Sequence, residues 1–215
     1  MNKRVLVTGG NGGIAIAIKE ELLSQGYYEY APGRLELDVT DIKSVEHVVS
    51  EFVPDILINA AGYVVPQSVK DADLESTKKH IEINLLGVFY CTQIALKYNP
   101  NLEIINIGSA ASVTTHATWS EYCASKAGLV MATKWWAEDG LYSVVVSPGR
   151  TRTKMRKALF PDEDQDTLLD PVDFAKVVMK AVNREFPTGT HIIVRKNNVH
   201  DILNNKFDLW IVQSI

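Results

Sequence analysis

Ser109, Tyr122 and Lys126 have the types and spacing to move a proton. Tyr122 and Lys126 stand four residues apart, so a helix over residues 121–137 brings both out on one face, where they act on one substrate. A free phenol has a pKa of about 10 and is a poor acid or base at neutral pH, but an adjacent ammonium stabilises the phenolate and draws that value toward the working range. Tyr122 can then give a proton to a carbonyl becoming an alkoxide, or take one from an alcohol, while Ser109 holds the oxygen. The stretch IINIGSAASVTTHATWSEYCASKAGL, residues 104–129, opens as a buried strand and closes as a helix. That sets the serine at a strand end, across a cleft from the tyrosine.

The rest of the chain supplies the frame for this trio. Residues 3–8 (KRVLVT) read as a strand, then the turn GGNGG, then the helical pattern IAIAIKEELLSQG ending at Gly26. In such a unit glycines let the backbone approach a pyrophosphate, and the helix N-terminus supplies amide donors. Residues 27–30 form a second strand, Pro32 and Gly33 turn the chain, and a third strand is expected over 35–39. Asp41 caps a helix running to Phe52, and residues 55–60 (DILINA) form a buried strand ending at Ala61 and Gly62. Residues 64–70 are loop-like, and a long helix over 73–97 carries Asn84. Further strands are expected at 141–146 and 190–194, with a helix opened by Asp170 and Pro171 and running to Val182. Arg150 and Arg152 are candidates to contact an anionic substrate. In the tail, Leu209, Trp210, Ile211 and Val212 are expected to cover a core edge or a subunit interface.

Repeated strand–helix units of this kind build a Rossmann-like, doubly wound parallel sheet of about seven strands in a three-layer αβα domain over residues 1–215. Ligands lie at the carboxyl ends of such strands, where the glycine turn, residues 59–62, Ser109 and Pro148-Gly149 all fall. The chain has 215 residues, 46% of them hydrophobic and 22% charged, enough for one domain with a sizeable core and too few for a second. A net charge of −4 gives no electrostatic case for nucleic acid or an anionic membrane surface, so the expected partners are a small molecule and further copies of the chain. Cys91 and Cys123 read as buried small side chains, and the five histidines lack metal-ligand spacing, so no metal is expected. With no leader pattern and no apolar run long enough to span a bilayer, a soluble cytoplasmic protein is expected.

These motifs resemble the short-chain dehydrogenase/reductase family over nearly the whole chain. TGGNGGIA (residues 8–15) is similar to its TGxxxGxG with Ala15 in place of the last glycine, and NAAG (59–62) to its NNAG. Ser109 and YCASK (122–126) match its serine and YxASK, Asn84 its helix asparagine, and Pro148-Gly149 with Thr153 its PGxxxT. The resemblance implies a nicotinamide cofactor and a ketone–alcohol reaction, with Tyr122 as acid/base. Lys126 would lower its pKa and hold the nicotinamide ribose, Ser109 would orient the carbonyl, and Asn84 would hold a water linking Lys126 to solvent. It places Thr8, Gly9, Asn11, Gly13 and Ile14 around the pyrophosphate. Asp38 and Val39 fall at the adenine, Asn59, Ala60, Ala61 and Gly62 on the adenosine side, and Pro148, Gly149, Thr151 and Thr153 by the carboxamide and phosphates. It also implies a homodimer or homotetramer paired through the helices at 73–97 and 121–137, the second of which carries Val130, Met131, Trp135 and Trp136.

The departures are informative. The second βα unit is compressed and lacks the acidic residue that often receives the ribose hydroxyls of NAD. Arg34 stands there instead, in an arrangement similar to that of dTDP-4-dehydrorhamnose reductases. A guanidinium suits a phosphate, so Arg34 is expected to meet the 2′-phosphate of NADP, with NAD the other possibility. The region after Gly149 is short, which leaves the substrate pocket walled by residues 110–113, His116, Trp119 and Met155. A non-catalytic dinucleotide-binding sensor or scaffold of the same fold is the alternative. A nucleotide-sugar epimerase or dehydratase fails on length, because too little chain follows Val146 for a sugar-binding portion.

Overall fold

A computed structural model gives the structure, which describes residues 3–206. The expectation for Leu209 to Val212 lies outside the described residues.

Among the described residues six parallel strands form one sheet: β1 (Arg4–Val7), β2 (Tyr28–Tyr30), β3 (Ile56–Asn59), β4 (Glu103–Ile107), β5 (Ser143–Pro148) and β6 (His191–Val194). Their order across the sheet is β2-β1-β3-β4-β5-β6. The winding reverses between β1 and β3, and a crevice opens beyond the carboxyl ends of strands at such a point. Strands β3, β4 and β5 are buried at every position, as parallel strands covered on both faces must be. One face carries α1 (Gly13–Ser24) and α7 (Pro171–Val182), packed through Ile18, Leu22, Phe174 and Val178 onto Val5, Ile58, Ile105 and Val144. The other carries α2 (Ile42–Phe52), whose Val45, Val49 and Phe52 join Leu6, Leu57 and Ile104. Asp41 caps α2 through the amide of Lys43, and Asp170 caps α7 through that of Val172, as their sequence signatures require.

Two elements differ from expectation. Residues 35–39 are a turn and add no strand to the sheet. Leu37 and Val39 are apolar because they are buried beside α2, not because they belong to the sheet, and the Leu37 amide closes a turn onto the Gly33 carbonyl. The long helix is interrupted: α3 (Leu74–Ile81) and α4 (Gly87–Tyr98) are joined by a π-helical turn at Glu82–Leu86, which contains Asn84. Such an inserted turn re-aims side chains and recurs at functional sites.

The remaining helices of the described residues are α5 (Ser120–Glu138), α6 (Lys154–Leu159) and α8 (Val199–Leu203). Among the described residues no helix is long and apolar enough to cross a membrane.

Candidate active site

A cleft of about 360 Å³ runs from the glycine turn to Tyr122 and Lys126. Its near end is main chain. Gly9 has φ +71°, and a Cβ there would stand 2.7 Å from the Ala61 Cα, while one on Gly10 would stand 2.0 Å from the Ala31 carbonyl oxygen. Only glycine lets these three segments close together. Thr8 secures the junction from behind, its hydroxyl accepting from the amides of Ala60 and Ala61 at 3.0 and 3.1 Å. Helix α1 starts from Gly12 with no side-chain cap and no acid in its first turn, so its amide end presents a positive partial charge to the cleft.

Arg34 and Asp38 line the same end. The guanidinium donates to Asp38 at 3.3 Å and is otherwise largely exposed. Burial would raise the Asp38 carboxyl, but hydrogen bonds from Thr40 and Arg34 outweigh it and hold it below its usual range.

At the far end, Tyr122 and Lys126 project from one face of α5. The Lys126 ammonium donates to the Ile107 carbonyl at 3.0 Å and lies 6.0 Å from the centre of the Tyr122 ring. Burial drives the lysine down to about 8. Burial also raises the Tyr122 phenol, against which a hydrogen bond to the Ser109 side chain acts to lower it. The phenol therefore stands above its ordinary value, opposite to what the tyrosine–lysine spacing alone suggests, because desolvation penalises both ions. Ser109 is fixed by its own geometry: it caps the short turn Ala110–Ser112, its hydroxyl accepting from Ala111 at 3.2 Å.

Other expected residues fall into two groups. Gly9, Asn11, Gly13, Ile14, Arg34, Asp38, Val39, Ala60, Ala61, Gly62, Tyr122, Lys126, Pro148 and Thr153 all line the cleft. Thr8, Asn59, Asn84, Gly149 and Thr151 are not among the cleft-lining residues and brace it instead. The Asn59 amide donates to Asn106 at 2.9 Å, and Asn106 to Thr133 at 2.8 Å, tying β3 to β4 and α5 inside the core. Asn84 exchanges one hydrogen bond in each direction with the Tyr63 main chain, each at 2.8 Å, which fixes its side chain beside Gly62. The Thr151 hydroxyl turns back to the Gly149 carbonyl at 3.0 Å.

Arg150 and Arg152, the candidates for an anionic substrate, are not among the cleft-lining residues: Arg150 pairs with Glu163 and Arg152 with Asp170. Sequence reasoning missed Leu37, Tyr63, Val64 and Ile83 as lining residues. Tyr63 follows NAAG directly and was within reach of that motif; Ile83 is brought in by the π turn, which leaves no pattern in the sequence.

Rossmann-type α/β oxidoreductases are built on this plan of switch-point glycine turn and facing serine, tyrosine and lysine. A family model described as short chain dehydrogenase matches residues 31–164, and the chain belongs to that family. It is 29% identical over 220 residues to 2,3-dihydro-2,3-dihydroxybenzoate dehydrogenase of Bacillus subtilis, covering 87% of this chain and 81% of that one. To the 3-oxoacyl-(acyl-carrier-protein) reductase FabG of Haemophilus influenzae it is 30% identical over 215 residues, covering 84% and 88%. A solved short chain dehydrogenase from Burkholderia cenocepacia in complex with NADP aligns with a TM-score of 0.76 and 25% identity, over 89% of this chain and 96% of that one. The protein is an oxidoreductase of this family.

Proposed function

We propose that the protein interconverts a ketone and a secondary alcohol with NADP as cofactor. The observation that carries this is the Tyr122–Ser109 hydrogen bond beside a buried Lys126, at the end of a cleft that begins in a glycine turn. The glycine turn and the uncapped start of α1 fit a pyrophosphate, and the bound nicotinamide would supply or accept the hydride. Tyr122 gives its proton to the nascent alkoxide, or takes one from the alcohol. Ser109 orients that oxygen. Lys126, fixed by Ile107, faces the ribose side and carries a charge that favours the phenolate once an anionic ligand raises its own pKa.

Arg34 at the adenine end, and the NADP found in a solved relative, support NADP over NAD. Rates with NADPH and a panel of ketones test the assignment: Tyr122→Phe should lose about a thousandfold in kcat while binding NADPH as before. Retained activity in that variant would overturn it. The sensor or scaffold reading is disfavoured because it has no use for the three polar side chains together.

Trp135 and Met131 are 63% and 50% exposed on α5, and Phe89 of α4 packs against the neighbouring Trp136. An apolar face of this kind supports pairing of two copies through α4 and α5. Light scattering should return a dimer or tetramer, and Trp135→Glu should shift it toward monomer. A monomeric wild type would remove the proposal.

A further inference from the structure

Beside Tyr122, next to the residues that line the cleft, stand two rings that the proton chemistry does not use. Trp119 meets the Tyr122 ring edge-on, centroids 5.5 Å apart at 82°, and lies nearly parallel to Phe160 at 6.2 Å and 21°. Both separations fall in the range where aromatic rings attract. Each ring is held from behind. Thr118, just before the tryptophan, has φ +67°, a conformation that a β-branched residue keeps only when its surroundings impose it. Its carbonyl accepts from the Gln67 amide at 2.8 Å. Phe160 lies 3.9 Å from the Arg156 guanidinium, which forks onto Glu163 through bonds of 2.6 and 2.7 Å. Three loops that are distant in sequence therefore converge to fix one flat wall beside the proton donor.

The charges point the same way. Arg150 and Arg156 share Glu163, and Arg152 faces Asp170, so the guanidinia of this region are matched by carboxylates of the chain itself. Met155, which lines the cleft, exposes an apolar side chain. A carboxylate brought here would lose its hydration against an indole. A flat apolar ring would gain face contact with Trp119 and bury area without freezing rotatable bonds.

We propose that Trp119 and Phe160 are specificity-determining residues, and that the substrate is a neutral ketone, or its alcohol, bearing an aromatic or comparably flat ring next to the carbonyl. The ring lies on Trp119 while the oxygen meets Tyr122 and Ser109. This rests on the ketone–alcohol reading above.

The test compares kcat/KM, with NADPH, for an aryl alkyl ketone, a straight-chain ketone of equal carbon number and an α-keto acid. The wild type should favour the aryl ketone by about tenfold or more, and Trp119→Ala should erase most of that preference through KM. Trp119→Phe and Phe160→Leu should keep part of it. Unchanged NADPH titrations show that each variant is folded. The proposal is overturned by a wild-type preference below about twofold, by preference for the keto acid, or by selectivity that survives Trp119→Ala. Tryptophan emission separates the two readings. If no ketone is turned over but the aryl ketone still quenches the wild type and not Trp119→Phe, the catalytic assignment fails and the ring wall stands. If both neutral ketones turn over alike, the ring wall fails and the catalytic assignment stands.

Discussion

At the glycine turn the cleft is walled by main chain; beside its Tyr122 end stand side chains from two segments distant in sequence, Trp119 just before α5 and Arg156 with Phe160 at α6. Gly9, Gly10 and Gly62 let β1, β3 and the segment after β2 come together with no room for a Cβ at the first two. Trp119, Phe160 and Arg156 instead meet through ring faces and a guanidinium fork whose partners lie up to 41 residues apart, the span from Trp119 to Phe160. A wall of backbone admits one shape and suits a ligand shared by a whole family. A wall of side chains can be changed one residue at a time without disturbing the sheet, which is where substrate choice is expected to reside.

The strongest way to break this comparison is to put a side chain where the backbone closes. Gly10→Ala places a methyl group 2.0 Å from the Ala31 carbonyl oxygen and 2.5 Å from its carbon, so the strand–turn junction must move. A loss of about 3 kcal/mol in denaturant unfolding is expected, with NADPH affinity lost alongside it. Phe160→Ala, at the other end, should stay within about 1 kcal/mol of wild type and bind NADPH normally. Equal losses in the two variants would mean that the substrate wall is as much a part of the frame as the glycine turn.

Arg34 sharpens the comparison, because it is a side chain at the main-chain end. Among the described residues it pairs with Asp38, and the guanidinium stays largely exposed toward the cleft. Arg34→Ala should raise the KM for NADP about tenfold and leave that for NAD unmoved. An unchanged NADP constant would remove Arg34 from cofactor recognition and leave discrimination to the backbone.

The same contrast explains what could be read in advance. The glycine turn, the caps at Asp41 and Asp170, and the four-residue spacing of Tyr122 and Lys126 are local, so their geometry follows from neighbours in sequence. Residues 35–39 misled because Leu37 and Val39 alternate like a strand while being buried by a turn. Asn84 is picked out by family pattern, but its exchange of hydrogen bonds with Tyr63, twenty-one positions earlier, is a pairing that only the fold creates. Arg150 and Arg152 looked free because Glu163 and Asp170 lie beyond the reach of a sequence window. The phenol of Tyr122 was expected to be lowered by Lys126, but burial of both groups is a property of the packed cleft and reverses the sign.

The smallest expected effect concerns Glu163, the carboxylate behind the ring wall. Its hydrogen bond with Arg156 holds it below its usual value of 4.5. A carboxyl depressed in the folded state contributes its stabilisation above its unfolded pKa and loses it as pH falls through the folded one. The fork that braces Phe160 should therefore hold at neutral pH and loosen only below about 4.5, and a part-buried pair near the surface is worth about 1 kcal/mol. The dissociation constant of an aryl ketone, followed by tryptophan emission, should accordingly rise about two- to threefold as pH drops below that point, while NADPH affinity holds. In Glu163→Gln the weaker constant should be present at neutral pH and stay flat on acidification. If the variant still tracks pH as the wild type does, the fork does not brace the wall, and Phe160 must be held by Trp119 alone.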